Sequence, residues 1–255
     1  MSGSRAARLS ALKGQIAALE AGTRTLSPVL PFGDARIDGC FPHGGLPLGR
    51  WHEVGGEGLE TETAACAAGF TALMVGALAR KGEVVWVLRR DDLHAPGLSN
   101  LGFPVDRLIQ VCVRDEAEAL AALEDALGSV GVVAAVGEVE APDLRAGRRL
   151  QLACERRGAT GFVIRRKPFG GPARGKAEPS GSASATRWRI GPAPTEAAAW
   201  GLGPARWRVA LERSRGGRPG EWLLQQREDE DAAHPFAVVS ELADHHLAPE
   251  ERRRA

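Results

Sequence analysis

An α/β fold built on a doubly wound, mostly parallel sheet, with antiparallel strands at its C-terminal edge, is predicted by three features of this sequence. Short unbroken apolar runs such as 84–88 alternate with alanine-rich or amphipathic stretches of helical length, the pattern of repeated β-α units. Those runs lack the polar alternation of half-wet strands, so both of their faces belong in a core. Beyond residue 186 the pattern changes: Trp188, Trp207 and Trp222 sit among alternating charged residues, as in antiparallel strands with one wet face. With 255 residues, 44% of them hydrophobic, the chain can bury one good-sized core and a small appendage.

Taken in order, residues 4–21 put Leu9, Leu12, Ile16 and Leu19 on one helical face, and Gly22 ends that helix. It packs on the protein's own core or receives a partner. A Gly/Pro-rich, turn-dominated segment over 30–50 leads into a first apolar strand at 51–54. A long alanine-rich helix over about 62–80 precedes the central strand 84–88. A strand near 108–113, a helix near 116–127, a strand at 130–136, a basic helix near 143–157 and a strand at 161–164 follow. Residues 167–186 hold too little apolar content to offset the entropy of ordering them, and a mobile basic loop is expected. Strands at 187–190, 206–211 and 221–224 finish the sheet, the last two joined by the turn-forming Arg215-Gly-Gly-Arg-Pro-Gly220. The expected organisation is an N-terminal helix and linker over 1–29, a core over 30–226, and a charged tail over 227–255 with the apolar patch Pro235-Phe-Ala-Val-Val239.

The net charge of +1 conceals an asymmetry, because residues 141–190 hold twelve Lys or Arg against three acids. The longest apolar stretch, 64–78, is too short and too interrupted by small residues to span a bilayer, and the N-terminus has no hydrophobic signal core. Cytoplasmic residence without a membrane partner is therefore expected. Cys40, Cys66, Cys112 and Cys154 are far apart, with no C-x-x-C pair and no His at ligand spacing. They read as reduced, mostly buried thiols rather than a zinc site or a disulfide framework.

A phosphate-binding loop needs glycines to let backbone N–H groups converge, a Lys for the β and γ phosphates, and a Ser or Thr for magnesium. The junction between the first strand and its helix reads Gly55-Gly-Glu-Gly-Leu-Glu-Thr-Glu-Thr63. It keeps Gly56 and the hydroxyl of Thr63, but Thr61 stands at the second glycine position and Glu62 at the lysine position. Two unit charges about 4 Å apart interact by roughly 4 kcal/mol at an effective dielectric near 20, so Glu62 turns an attraction of that order into repulsion. By itself a Gly-rich turn before a helix is also just a helix start.

The flanking sequence resembles the RecA recombinase family. Residues 33–50, ending in Gly-Gly-Leu-Pro-Leu-Gly-Arg50, look like that family's lead into its first core strand, and the Leu-Gly-x-x-x-Asp-x-Leu pattern at 101–108 looks like its next strand and loop. In that register the resemblance implies a RecA-like fold whose catalytic glutamate position holds Arg90. A guanidinium cannot accept a proton from water. The family's metal-binding strand corresponds to 130–137, where the first acid, Glu138, comes one or two residues late, and its phosphate-sensing Gln falls near Arg165 or Arg166. The resemblance implies a degenerate ATPase with no functional cofactor site and no catalytic residue, or else an anion site built from Arg90, Arg165 and Arg166 in the vacated cleft.

The C-terminal run Pro204-Ala-Arg-Trp-Arg-Val-Ala-Leu-Glu-Arg-Ser-Arg-Gly-Gly-Arg-Pro-Gly-Glu-Trp-Leu-Leu224, preceded by Thr186-Arg-Trp-Arg-Ile190, resembles the ImuA family of bacterial damage-inducible mutagenesis cassettes. That resemblance implies a non-catalytic accessory role in SOS-induced translesion synthesis, with an ImuB-type Y-family-like protein as partner. An error-prone replicative-type polymerase, RecA and DNA are further candidate partners. The alternative it leaves is an SOS cell-division inhibitor acting on a tubulin-like division GTPase.

Arg165, Arg166, Lys167, Arg174 and Lys176 are the candidate DNA contacts, by counterion release along a phosphate backbone; the same residues suit a solvated surface loop, since no aromatic residue there would stack on bases. Phe236, Val238, Val239 and Leu242 are the candidate partner contacts, by strand addition or as a short helix, or else they cap the sheet. The three tryptophans read as packing. His245 and His246 read as a solvated pair, with no third ligand near them for a metal.

Overall fold

Strands and helices alternate along the chain in the computed structural model, which describes residues 28–58, 60–166, 183–195, 203–227, 234 and 236–241, without the side chains of 60–64, 240 and 241. The helix expected over 4–21 lies outside these residues. β1 (Val29–Leu30) and β2 (Leu46–Pro47) pair antiparallel on either side of the short helix α1 (Ala35–Asp38). The doubly wound part comprises β3 (Trp51–Gly56), α2 (Glu60–Ala79), β4 (Glu83–Leu88), α3 (Ala95–Ser99), β5 (Leu108–Cys112), α4 (Glu116–Gly128), β6 (Val132–Val139), α5 (Leu144–Arg157) and β7 (Thr160–Arg165). β8 (Thr186–Pro192), β9 (Arg206–Ser214), β10 (Gly220–Gln226) and β11 (Phe236–Glu241) complete a nine-stranded sheet in the order β11-β10-β9-β8-β3-β7-β6-β4-β5. β8, β3, β7, β6, β4 and β5 run parallel, and β9, β10 and β11 add antiparallel beyond β8.

Each face of the sheet has its own core. On one, α2 lays Phe70, Met74 and Leu78 over Val54, Trp86, Phe162 and Trp188; on the other, Leu123, Leu127, Leu150 and Cys154 of α4 and α5 cover Trp51, Val85 and Val87. The carboxylates of Asp115 and Asp143 accept the backbone N–H of Glu118 and Ala146 at 2.9 and 2.6 Å and so start α4 and α5. Gly158, at φ 77°, supplies the left-handed residue that ends α5. α5 approaches β3 so closely that a Cβ on Gly147 would stand 2.9 Å from the Trp51 ring.

Several boundaries differ from those expected, three of them with structural consequences. The sheet does not stop at Gln226: β11 pairs with β10, and Phe236 is buried with ring centroids 5.0 Å from Phe70, 6.0 Å from Trp207 and 6.2 Å from Phe32. The segment expected to be mobile is fixed at its end, where Ser184, Ala185 and Thr186 are buried and the Ala185 N–H donates to the Trp51 carbonyl at 2.8 Å. β6 lies over 132–139 rather than 130–136, leaving Val130 exposed. Cys40 and Cys154 are buried thiols and Cys66 is half-buried, whereas Cys112 is exposed.

A buried polar relay joins β2, β3 and β8. The Trp188 indole N–H donates to Thr186 Oγ1 at 2.8 Å, which lies 2.8 Å from His52 Nδ1, while His52 Nε2 lies 3.0 Å from the Pro47 carbonyl. A carbonyl only accepts, so Nε2 carries the proton and Nδ1 accepts from the Thr186 hydroxyl. The neutral imidazole is satisfied at both nitrogens, and burial pushes its pKa down to about 3. The unfolded chain, with its histidine near 6.5, therefore binds the proton first, and stability rises with pH between these values by about 1.4 kcal/mol per unit. Urea denaturation at pH 6 and pH 4 should show the unaltered protein losing about 2–3 kcal/mol more than His52→Gln across that interval. Equal losses in the two proteins would remove His52 from the acid response.

Candidate functional site at the carboxyl ends of the parallel strands

The chain leaves β4 for β5 and leaves β6 for β7, in opposite directions across the sheet, although β4 and β6 are neighbours. Such a reversal opens a crevice at the carboxyl ends of the strands, the place where open α/β sheets bind ligands. Arg89, Arg90 and Asp92 follow β4 there, Glu138 ends on β6 in register with Ile164, and Arg165 and Arg166 stand at the end of β7.

Arg166 lies at the centre. Its Nη1 is 2.9 Å from both Glu138 carboxylate oxygens and 2.9 Å from Asp92 Oδ1, and its Nη2 is 2.5 Å from Asp92 Oδ2. The Glu138 side chain is 1% exposed and that of Arg166 13%. Burial pushes the Glu138 pKa up and the Arg166 cation opposes this, while the hydrogen bonds from Arg166 hold Asp92 below the usual carboxylate range. One guanidinium thus ties the ends of β4, β6 and β7. Arg90 is more than half exposed, with its Nε 3.7 Å from Asp92, and Arg89 lies 3.8 Å from Glu116.

On the other side of the sheet, the buried Glu53 carboxylate collects Arg187 Nε at 3.2 Å, the Ser184 hydroxyl at 3.1 Å and Arg165 Nε at 3.9 Å. Arg213 Nη2 donates to the Ser184 carbonyl at 2.9 Å and its hydroxyl at 2.6 Å. Burial, then the Arg187 charge, lower the Arg213 pKa.

The loop after β3 has a different engagement. Gly56 pairs with Ile190 in the β3–β8 ladder, the Glu57 N–H donates to the Ile190 carbonyl at 2.8 Å, and the Glu57 carboxylate lies 3.2 Å from Arg208 Nε. Thr61, Glu62 and Thr63 belong to the opening turns of α2, which starts at Glu60. Among the described residues no group of three His, Cys, Asp or Glu is placed to hold a metal, and no helix is long and apolar enough to cross a membrane.

The sequence candidates thus separate. Arg165 and Arg166, adjacent in the chain, go to two different carboxylate networks, and both are drawn inward. Lys167, Arg174, Lys176 and Leu242 lie outside the described residues, as do His245 and His246. Phe236 is a core residue and the half-buried Val238 packs against the core, in keeping with the sheet-capping alternative, while Val239 is 43% exposed. The sequence reading missed Asp92, Glu53 and Arg187. The Asp91-Asp92 pair after a buried strand was a legible signal, whereas Glu53 in an apolar strand becomes meaningful only once β8 lies beside β3.

Comparison with known proteins adds two likenesses. Proteins named ImuA from two strains of Caulobacter vibrioides, NA1000/CB15N and ATCC 19089, are each 63% identical over 241 residues, spanning 92% of this chain and 99% of the relative. A crystal structure of the RadB recombinase superposes with a TM-score of 0.55 at 16% identity, covering 83% of this chain and all of the other, a likeness of fold. No family model matches the chain.

Arg166→Met leaves Glu138 buried without its cation and should cost about 3–5 kcal/mol of stability near neutral pH. Adding Glu138→Gln to that variant removes the stranded charge and should recover part of the loss in urea denaturation. No recovery would separate Glu138 from the effect of Arg166.

Proposed function

The chain belongs to the ImuA family, and from that premise we propose that it is a non-catalytic RecA-like accessory protein of damage-induced mutagenesis, working in translesion synthesis through an ImuB-type Y-family-like partner. The observation that carries this reading is 63% identity maintained over 92% of the chain, together with a RecA-like sheet. DNA, RecA and an error-prone replicative-type polymerase are the further partners of such a role.

The cleft supports the non-catalytic half of the proposal. A magnesium-bound nucleotide does not fit these residues. Both carboxylates nearest the crevice close on Arg166, which already supplies the cation. The Glu57 N–H is committed to Ile190, Glu62 carries the wrong charge for a phosphate, and Arg90 cannot serve as a base. The outer edge of β11, an edge strand of the sheet, supports a partner contact by strand addition beside Val239.

The tagged full chain, recovered from its DNA-damaged host, should bring a Y-family-like protein with it in mass spectrometry, and Val239→Glu should reduce that recovery. A tubulin-like division GTPase in its place would overturn the mutagenesis reading. In a parallel melt, ATP with magnesium should leave the unfolding midpoint unchanged; a rise that grows with ATP concentration would restore a nucleotide site.

A further inference from the structure

β8, β9 and β10 have two unlike faces. Trp188, Ile190, Trp207, Val209, Leu211, Trp222 and Leu224 belong to the core under α2. Alternation along the strands sends Arg187, Arg189, Arg206, Arg208 and Glu221 the other way. On that side α4 and α5 pack over β3, β4, β6 and β7, and among the described residues no helix covers β8–β10.

The register gives this face a shape. Arg165, Gly55, Arg189, Ala210 and Glu221 lie in one row across β7, β3, β8, β9 and β10, and Gly191, Arg208 and Leu223 lie in the next. Gly55, Gly191 and Ala210 keep the floor low between the arginines. Arg189 and Arg208 are about half exposed, at 48% and 52%, and their partners are exposed carboxylates: Glu212 at 3.2 Å and Glu221 at 3.8 Å for Arg189, Glu57 at 3.2 Å for Arg208. Exposed pairs of this kind are weak and screened by salt, so another anion can replace either partner. Arg187 and Arg206 stand nearby, held by Glu53 and by the Gln225 side-chain carbonyl at 2.6 Å.

Glu57 is the unusual member. Its carboxylate lies over Gly191 so closely that a Cβ there would be 2.3 Å from Glu57 Oε2. The residue comes from the loop that resembles a phosphate loop, and it places an anion in the hollow between β8 and β9. We propose that this face docks the phosphodiester backbone of nucleic acid, with Arg189 and Arg208 as phosphate contacts and the Glu57 carboxylate as a built-in anion that a phosphate displaces.

The choice of nucleic acid follows from composition and layout. The cations named on this face, Arg187, Arg189, Arg206 and Arg208, are all arginine, and they stand beside the carboxylates of Glu57, Glu212 and Glu221. Arginine is the cation whose planar fork matches phosphate oxygens. The cations form lines along two strands rather than a closed pocket, which suits a polymer of regularly spaced charges. Arg213 and Arg215 also hold the end of the basic segment that joins β7 to β8, through the carbonyls of Ser184 and Ala183. The inference rests on the proposed role at DNA and names the surface for it.

Fluorescence anisotropy of labelled single- and double-stranded oligonucleotides of about 30 units, titrated with the full chain between about 50 and 200 mM salt, tests this directly. Arg189→Glu with Arg208→Glu should lower affinity at least about tenfold and make the log–log salt slope shallower by about 2. Glu57→Gln, which removes the competing anion, should raise affinity severalfold. Unchanged binding in the arginine variant, with loss on Arg174→Glu/Lys176→Glu, would overturn this face and leave the DNA role intact. Absence of binding by the unaltered chain at low salt would sink both. Binding of polyglutamate but not of oligonucleotide would assign the face to an acidic protein and also overturn the proposal. The side chains of Arg189, Arg208 and Glu57 are exposed, so the unfolding midpoints of these variants should stay within about 2 °C of the parent. If the arginine variant nevertheless unfolds, unchanged affinity in Glu57→Gln still refutes the displacement.

Discussion

Glu138 is a carboxylate held at the end of a central parallel strand with 1% of its side chain exposed, and a charge in that position must be met by an opposite one or be neutralised. The chain meets it with Arg166, and most of the architecture near the crevice follows. To bring that guanidinium to Glu138, β7 must end beside β6, and the chain after β4 must turn back so that the Asp92 carboxylate meets both Nη atoms. The balance of such a buried pair is unlike that of a surface pair: its formation adds little net stability, while removal of one member strands the other. What the geometry shows is a link between strand ends, with Arg166 at the end of β7 meeting Glu138 of β6 and Asp92 beyond β4. The crevice is ordered from within.

A second division runs through the sheet. The central parallel strands β3, β7, β6 and β4 have helices on both faces; β8 and the antiparallel strands beyond it keep one face in the aromatic core and turn the other outward. Trp188 belongs to the first environment through its ring and to the polar relay through its N–H. Thr186 and His52 are buried at no cost in unsatisfied groups because each donor in the relay finds an acceptor. The same β8 that seals the core thus begins the arginine face, with one residue separating the two roles.

Much of this was legible in the sequence. The order of the strands and long helices from 51 to 226 could be read from local periodicity, because period 2 and period 3.6 leave their marks within a few residues; the five-residue α3, which contains Pro96 and Gly97, left no such mark. The side on which a charge emerges could not. Arg165 and Arg166 look like one basic doublet, yet the pleat sends the first toward Glu53 and the second toward Glu138, across the sheet from each other. β11 was hidden for a different reason. Phe236, Ala237, Val238 and Val239 form a patch too short to distinguish a strand from a docking motif, and only the neighbouring β10 decides the matter. The degenerate phosphate loop was visible as residue substitutions, but the part Glu57 takes against Gly191 and Arg208 depends on a contact between distant segments.

The aromatic cluster around Phe236 has a consequence for the birth of the molecule. Phe32 stacks near a ring that lies 204 positions later in the chain, and Phe70 and Trp207 share the same knot. At bacterial synthesis rates of about 5–20 residues per second, on the order of 10–40 s pass between the emergence of the first ring and the last. Throughout that interval the early half of the core has no lid on this side, and its apolar surface faces the ribosome's surroundings. Closure by the last strand converts a vectorially made chain into a folded one, so nascent copies stalled before residue 236 are the population on which chaperones and proteases would act.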